Sequence, residues 1–250
     1  RDFQTLGQDE SPEFVFDLQK NLLFKGKSSV ENGDFSFSFI VPKDINYDFG
    51  NGKISLYAKG HIQGQFCDAL GYNFDMVVGG TSFEYIKDFE GPQIELFMND
   101  TNFIFGGITD ANPSLYAILY DESGINTVGN GIGHDMLAVI DEESSNPIVL
   151  NDFYESNINS YKSGIIDYPL STLSEGKHSL TVKVWDVHNN SSEGVTEFVV
   201  LSSDNLTIQN LLNFPNPMVD FTSFYFEHNQ NNEEMNVLLQ IIDLQECLVV

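Results

Sequence analysis

The sequence has few basic residues, almost no cysteine and no long apolar run. Lysine and arginine total 11 against 37 aspartate and glutamate residues, which gives a net charge of −26. Arg1 is the only arginine. Nucleic-acid binding needs lysine and arginine at the phosphates, so this composition argues against a nucleic-acid partner. An anionic membrane surface would repel the chain for the same reason.

The acidity has two interpretations. It keeps a protein soluble in a salty or extracellular medium, where charges are screened beyond about 8 Å. Alternatively, it serves divalent cation binding. A calcium ion needs roughly six to eight converging oxygen ligands, and an acidic surface alone does not supply them. We therefore favour solubility and predict neither a bound metal nor a cofactor.

The scarcity of cysteine excludes a disulfide framework, since Cys67 and Cys247 fall in different predicted domains. No run is long enough to be a transmembrane helix. The chain starts "RDFQTL" without methionine or signal peptide, and it ends in "ECLVV", which is typical of the middle of a strand. We expect a piece of a longer protein.

What the sequence does have is alternation of apolar and polar residues. Phenylalanine and tyrosine, 21 and 10 residues, suit sheets better than helical bundles. Alternation marks "DFSFSFIV", "KISLYAK", "QIELFM", "SLYAILY", "HSLTVKVW", "TSFYF" and "NVLLQIID" as half-buried strands. Turn clusters such as "VENGD", "FGNGK" and "HNNSSEG" separate them. The pattern predicts an all-β fold of tandem immunoglobulin-like β-sandwich domains.

Two stretches mark the domain boundaries. "KDFEGPQIEL", residues 87–96, combines charge with Gly-Pro and then begins a strand. The second stretch, "VVLSSDNLTIQNLLNFPNP" at residues 199–217, is typical of the last strand of one domain, a short linker and the start of the next domain. We predict a β-sandwich segment over 1–88, an immunoglobulin-like sandwich over 89–202, and the truncated start of a third sandwich over 203–250.

The stretch "GNGIGHDML", residues 129–137, is the first candidate for chemistry. A phosphate-binding loop would lie between a strand and a helix, whereas a strand pattern follows here. His134 could be a base oriented by Asp135, but adjacent side chains in an extended segment point to opposite faces. No nucleophile is evident. We favour a glycine-rich loop in which the His–Asp pair caps a turn.

The stretch "WDVHNNSSEG", residues 185–194, is the second candidate. In β-sandwiches, an aspartate followed by asparagines at a hairpin usually bonds its own backbone, and we expect this of Asp186. Calcium would require further carboxylates to converge on Asp186, His188 and the asparagines. Possible donors are Asp100, Asp110, Asp121 and Asp141. Trp185 lies on the polar face of its strand and is expected at a domain interface.

The cysteines and the remaining histidines carry no signal of reactivity. A nucleophilic cysteine needs a base and an electropositive setting, which neither Cys67 nor Cys247 has. His61 and His178 are best explained as strand-end residues. We predict no catalytic, cofactor-binding or metal-binding residue in the chain. In "NFPNP", Pro215 and Pro217 lack backbone donors, which indicates a stiff turn at the start of a domain.

The ordered set of motifs resembles a known family. The stretches are "VENGDFSFSFIVPKDINYDFGNGKISLYA", "GPQIELFMND", "FGGITDANPSLYAILYDESGINTVGNGIGHDMLAVID", "PIVLNDFYES", "GKHSLTVKVWDVHNNSSE" and "LLNFPNPMVDFTSFYFEHNQ". In this order they are similar to the C-terminal β-rich region of PorU-type proteins, the gingipain-like cysteine peptidases that act as sortases of the type IX secretion system in Bacteroidetes. The end of the chain also resembles the start of a type IX sorting domain.

The resemblance implies the non-catalytic scaffold of a cell-surface cysteine endopeptidase and transpeptidase. The family's catalytic residues belong to a caspase-like domain whose motifs have no match here. Implied partners are the parent peptidase domain, an outer-membrane anchoring protein of the secretion system and the sorting domains of cargo. The implied location is the extracellular face of the outer membrane.

Two other functions stay open. An exported adhesin or other cargo protein would use β-sandwich modules to bind a ligand and would end in a true sorting domain. A standalone hydrolase or carbohydrate-binding module has less support. A glycan platform needs several exposed aromatics on one sheet face, whereas the aromatics here are expected to alternate inward.

Overall fold

A computed structural model describes residues 2–4, 12–13, 15–17, 22–45, 47–82, 87–129, 133–201, 208–228, 236–239 and 241. The chain divides into two compact units. Unit 1 comprises Arg1–Leu96, Tyr116–Tyr168 and Leu180–Val195. Unit 2 comprises Phe97–Leu115, Pro169–Ser179 and Thr196–Val250. In the described part of the chain, no helix is long and apolar enough to cross a membrane.

The described residues form strands and one short 3₁₀ helix, which confirms the prediction of an all-β protein. The strands are β1 Asp2–Gln4, β2 Val15–Asp17, β3 Gly50–Asn51, β4 Ile54–Ile62, β5 Gln65–Asn73, β6 Val77–Val78, β7 Gln93–Met98, β8 Ile108–Thr109, β9 Ser114–Tyr120, β10 Leu137–Ile140, β11 Ile148–Val149, β12 Tyr154–Ser156, β13 Ser163–Pro169, β14 Gly176–Trp185, β15 Ser191–Val200, β16 Ile208–Phe214 and β17 Ser223–His228. The 3₁₀ helix spans Asn151–Phe153.

Two sheets hold most of the strands between residues 93 and 200. One has five strands in the order β11-β10-β14-β15-β8, and the other has four in the order β12-β13-β9-β7. Strand β14 pairs antiparallel with β10, from Leu137 opposite Lys183 to Ile140 opposite Leu180. The arrangement is consistent with a β-sandwich. These strands lie within residues 89–202, for which the immunoglobulin-like sandwich stays a prediction.

The cores follow the alternation in the sequence. In β9 and β14 every second residue is buried, as the patterns "SLYAILY" and "HSLTVKVW" predict. The buried apolar residues of unit 1 are Ala117, Leu119, Ile125, Val128, Met136, Ala138, Leu150, Tyr154, Ile166, Leu180, Val182, Val184 and Val187. Those of unit 2 are Met98, Ile108, Leu115, Leu170, Phe198 and Val200.

The sandwich segment over the first 88 residues stays a prediction. Their described strands form only two-stranded pairings: β1 with β2, β3 with β6, and β4 with β5. Residues 35–41, which alternation marked as a half-buried strand, form no described strand, and Phe35 and Phe37 are 46% and 44% exposed. The boundaries at 88/89 and 202/203 stay a prediction.

The segment after residue 207 contains the predicted prolyl turn. Strand β16 pairs antiparallel with β17, with Phe214 opposite Ser223. The peptide bonds before Pro215 and Pro217 are both cis. The turn is closed by Thr222, whose hydroxyl donates to the Pro215 carbonyl oxygen at 2.9 Å. Of the strand predicted at "NVLLQIID", residues 236–243, the structure describes 236–239 and 241, and these residues are not in a strand.

Gly164 in β13 lies close against β12, and it gives a first testable prediction. A Cβ there would lie within 2.5 Å of the Tyr154 hydroxyl, which is itself buried. We expect Gly164→Ala to lower the free energy of unfolding by about 2 kcal/mol, because an overpacked core must shift backbone or side chains. Chemical denaturation measures the loss.

Gly133, which has open space around its Cβ position, supplies the matched control for Gly164. Its φ is +88°, so Gly133→Ala carries backbone strain without a steric clash. A loss for Gly164→Ala no larger than that of Gly133→Ala would contradict the packing argument.

Candidate functional site

Three aspartates from separate parts of unit 1 converge. Asp88 precedes β7, Asp121 follows β9, and Asp186 follows β14. One carboxylate oxygen from each lies within 4.8 Å of the others. Asp121 and Asp186 are 5% and 0% exposed, whereas Asp88 is half-buried. We call this group the aspartate cluster.

Asp186 holds the β14–β15 hairpin in shape. Its Oδ1 accepts hydrogen bonds from the backbone N–H of His188 at 2.9 Å and of Asn190 at 2.7 Å. Its Oδ2 accepts from the Asn190 side chain at 2.7 Å. The structure thus confirms the expectation that this aspartate bonds the backbone of its own turn. Burial raises the pKa of Asp186, and these hydrogen bonds oppose that rise.

Asp121 plays the same part in the loop after β9. Its Oδ1 accepts from the backbone N–H of Ser123 at 2.8 Å and of Gly124 at 2.9 Å. Burial, together with the charges of Asp186 and Asp88, raises the pKa of Asp121 to about 6 against the opposing effect of the two hydrogen bonds. A nearly buried carboxylate beside two others is costly to ionise.

Asp88 differs because it is less buried and because one of its two donors is a side-chain hydroxyl. The Ser123 hydroxyl donates to its Oδ2, and the backbone N–H of Glu90 donates to its Oδ1 at 3.1 Å. The bond from Ser123, then that from Glu90, lowers the pKa of Asp88, and His188 acts in the same direction. Asp88 therefore carries the charge most readily within the cluster.

The cluster is the group of described residues whose ligand atoms converge closely enough to share a cation. Calcium would need additional oxygens, since three carboxylates supply only part of a shell of roughly six to eight. Five of the hydrogen bonds already present come from backbone N–H groups of the cluster's own loops. The sequence-based expectation of no bound metal stays a prediction.

Of the four aspartates named from sequence as possible donors, only Asp121 belongs to the cluster. Asp100 and Asp110 instead accept hydrogen bonds from the backbone two residues further along, at 2.7 Å from Asn102 and 2.6 Å from Asn112. Asp141 is in the left-handed region with φ of 53°. Asp88 was missed, although its stretch "KDFEG" had been singled out as a boundary.

His134 lies near a carboxylate, but not that of its neighbour Asp135. Its Nδ1 is 3.1 Å from Oδ2 of Asp44, and its ring centroid is 4.4 Å from that of Trp185. The structure therefore gives His134 a partner ninety residues earlier in the chain. No hydroxyl or thiol nucleophile bonds His134 among the described residues.

Cys67 lies in β5 opposite Gly60 of β4, and His61 lies opposite Phe66. Adjacent residues in a strand point to opposite faces, so the Cys67 thiol and the nearby His61 imidazole cannot act as a nucleophile and base. The Sγ of Cys67 donates to the Gly60 carbonyl oxygen at 3.5 Å. Cys247 lies outside the described residues.

The β4–β5 hairpin has an exposed aromatic face, contrary to the expectation that aromatics alternate inward. Tyr57, Phe66 and Tyr72 share one face by register and are 56%, 60% and 71% exposed. The Tyr57 hydroxyl donates to Asp68 Oδ2 at 3.1 Å on that face. The reason is that no third strand or second sheet covers the hairpin among the described residues.

Comparison with known proteins gives a structural likeness. No protein-family model and no curated protein matches the chain. A crystal structure of dimeric latent PorU from Porphyromonas gingivalis is 31% identical over 92% of this chain and 21% of that chain, with a TM-score of 0.47. The chain thus spans about a fifth of the length of the PorU chain that it matches.

Proposed function

We propose that the chain is a non-catalytic scaffold and interaction region of a type IX secretion sortase. The observation that carries the proposal is the ordered set of motifs, from "VENGD" to "NFPNP", which resembles the β-rich region of PorU-type proteins over nearly the whole chain. Tandem immunoglobulin-like sandwiches over 1–88 and 89–202 and a sorting-domain-like start over 203–250 belong to the same proposal.

The described side chains favour a structural role over a catalytic one. His134 and Cys67 have the partners given above, and neither arrangement joins a nucleophile to a base. The peptidase chemistry would belong to a parent caspase-like domain. Its partners would be an outer-membrane anchoring protein and the sorting domains of cargo, at the extracellular face of the outer membrane.

We expect the chain of residues 1–250 to leave a type IX sorting-domain substrate uncleaved, with calcium or with a chelator. The physical reason is the lack of an activated nucleophile among the described residues. Mass spectrometry of the substrate after prolonged incubation measures this, and the longer natural protein is the positive control. Cleavage by residues 1–250 that is lost in Cys67→Ala or His134→Asn would show that those residues were misjudged.

The second candidate is an exported adhesin or other cargo protein that ends in a sorting domain. The exposed face of Tyr57, Phe66 and Tyr72 favours it, because exposed aromatic rings on one face of a hairpin offer apolar surface to a bound ligand. The two candidates differ in what precedes the chain in its natural protein. Peptide mapping of that protein would reveal a caspase-like domain for the sortase and repeated adhesive modules for the cargo protein.

A further inference from the structure

Asparagine is followed directly by glycine at three places in the chain, residues 32–33, 51–52 and 130–131. Asparagine is a thermolabile residue, and a following glycine makes it reactive, because no side chain shields the glycine nitrogen from the asparagine amide. The step at 130–131 lies outside the described residues. The two described steps differ in how free the glycine nitrogen is.

The step at 32–33 forms an exposed two-residue turn. The Glu31 N–H donates to the Asp34 carbonyl oxygen and the Asp34 N–H to the Glu31 carbonyl oxygen, both at 2.9 Å. Asn32 and Gly33 have φ of 53° and 92°, as a type I′ turn requires. No atom lies within 4 Å of a Cβ position on Gly33, and no described acceptor bonds its N–H. Its nitrogen is therefore open to reaction.

The step at 51–52 is bonded and enclosed. Asn51 lies in β3, and the Gly52 N–H donates to the Met76 carbonyl oxygen at 2.8 Å. A Cβ on Gly52 would lie 2.6 Å from Cε of Met76 and 3.1 Å from Cγ2 of Val78. The same dipeptide thus has a restrained nitrogen at residue 52 and an unrestrained one at Gly33.

We propose that Asn32 is a site of spontaneous covalent modification, at which asparagine is converted to isoaspartate and aspartate. The Gly33 nitrogen attacks Cγ of Asn32, and the side-chain amide leaves as ammonia with the proton of that nitrogen. The product is a five-membered succinimide ring. Water then opens the ring, at the main-chain carbonyl to give isoaspartate or at the side-chain carbonyl to give aspartate. Water is the other reactant, and nothing is oxidised or reduced.

Attack on Cγ requires the backbone at Asn32 to leave its turn conformation. Among the described residues, the two bonds between Glu31 and Asp34 are the backbone hydrogen bonds that join the arms on either side of the turn, 23–30 and 35–41. Neither arm contains a described strand. Opening two hydrogen bonds at an exposed turn lies at the low end of local unfolding free energies. The reactive conformation is therefore within easy reach.

The modification changes the charge and the covalent length of the turn. Each product carries a carboxylate in place of a neutral amide, between Glu31 and Asp34 in a chain of net charge −26. Isoaspartate also inserts an extra carbon into the main chain, so a two-residue turn no longer sets the register of the arms. Phe24 and Phe39, whose rings stack across the arms with centroids 4.5 Å apart, then lose the turn that aligns them.

The ties on either side of the hairpin keep this change local. The Lys27 N–H donates to Ser156 Oγ at 3.1 Å, and the Lys27 carbonyl oxygen accepts from the Asn159 N–H at 2.9 Å. Beyond the second arm, the Lys43 N–H donates to the Val187 carbonyl oxygen at 2.9 Å. The modification therefore acts on the hairpin between these ties more than on the rest of unit 1.

The test is incubation of the chain of residues 1–250 at pH 8 and 37 °C, followed by trypsin digestion and mass spectrometry. Trypsin places the two steps in separate peptides, residues 28–43 and 44–53. Fragmentation then counts isoaspartate and aspartate at each position over time. We expect Asn32 to convert about tenfold faster than Asn51, because the hydrogen bond of the Gly52 nitrogen must first break.

Two controls separate the effect of the fold from that of the sequence. In concentrated urea the two steps should convert at similar rates, since both are then unfolded Asn-Gly. Asn32→Gln, whose longer side chain disfavours ring closure, should abolish conversion at position 32 and leave the rate at Asn51 unchanged. A ratio of the two rates in the folded chain no larger than the ratio in urea would overturn the proposal. So would an Asn32 that stays unconverted in the folded chain while it converts in urea.

Discussion

Replacing Asp186 by alanine should lower the free energy of unfolding by about 4 kcal/mol, since a buried N–H left without an acceptor costs roughly 1–3 kcal/mol. Asp186 is fully buried and accepts hydrogen bonds from the N–H groups of His188 and Asn190 and from the Asn190 side chain. The alanine leaves all three donors without this acceptor. Urea-induced unfolding at pH 7 measures the loss.

The control for this prediction is Asp186→Asn, which keeps an oxygen at the position of Oδ1. That oxygen can still accept from the two backbone N–H groups, so we expect less than half of the loss seen with alanine. Asp152→Ala, at an exposed position, should change stability by less than about 0.5 kcal/mol. Equal losses for the alanine and asparagine variants of Asp186 would show that its hydrogen bonds do not hold the hairpin.

Asp121→Asn should raise the free energy of unfolding at pH 7.5, by up to about 3 kcal/mol. Asp121 is 5% exposed, and its pKa is raised from 3.8 to about 6 by burial and by the charges of Asp186 and Asp88. A shift of one pKa unit corresponds to about 1.4 kcal/mol. The asparagine removes the buried charge, and its Oδ1 can still accept from Ser123 and Gly124.

The pH dependence has a definite sign. Between pH 3.8 and about 6 the folded protein holds a proton on Asp121 that the unfolded chain has released, so stability falls as the pH rises. Above about pH 6 the full cost is present, and below 3.8 it is absent. Asp88, with its lowered pKa, acts oppositely: its stabilisation is present above 3.8 and is lost as the pH falls further.

Denaturant titrations of wild type and Asp121→Asn from pH 4 to pH 8, with a chelator throughout, isolate this contribution. The difference between the two proteins should grow with pH up to about 6 and then level off. A constant difference across this range would refute the explanation by a buried charge. In a second set of titrations, with calcium in place of the chelator, a gain in the stability of wild type that is absent from Asp121→Asn would show that the prediction of no metal is wrong.

The strands of the larger sheets could be predicted because their alternation reflects burial on one side. "SLYAILY" and "HSLTVKVW" became β9 and β14 with every second residue buried. The same rule was wrong for residues 35–41, where alternating phenylalanines lie on backbone without a described strand. Alternation predicts that one face of a segment is buried. It does not predict which segment packs against that face, or whether that segment is among the described residues.

The candidate site was only partly predictable. The hairpin role of Asp186 followed from local chemistry, because an aspartate before asparagines bonds its own turn. The meeting of Asp88 with Asp121 and the pairing of His134 with Asp44 join residues 33 and 90 positions apart. Such contacts depend on how the strands are ordered in space, which a single sequence does not encode locally.

The contacts of residues 22–45 determine where the chain can be shortened for experiments. A protein that starts at residue 89 would keep all nine described strands of the two larger sheets but would lose Asp44, Lys43 and Asp88. His134 would then lack its carboxylate, the Val187 carbonyl its donor and Ser123 its acceptor. Recombinant fragments for crystallisation or labelling should therefore begin ahead of residue 22, even though composition alone suggests a cut at residue 88.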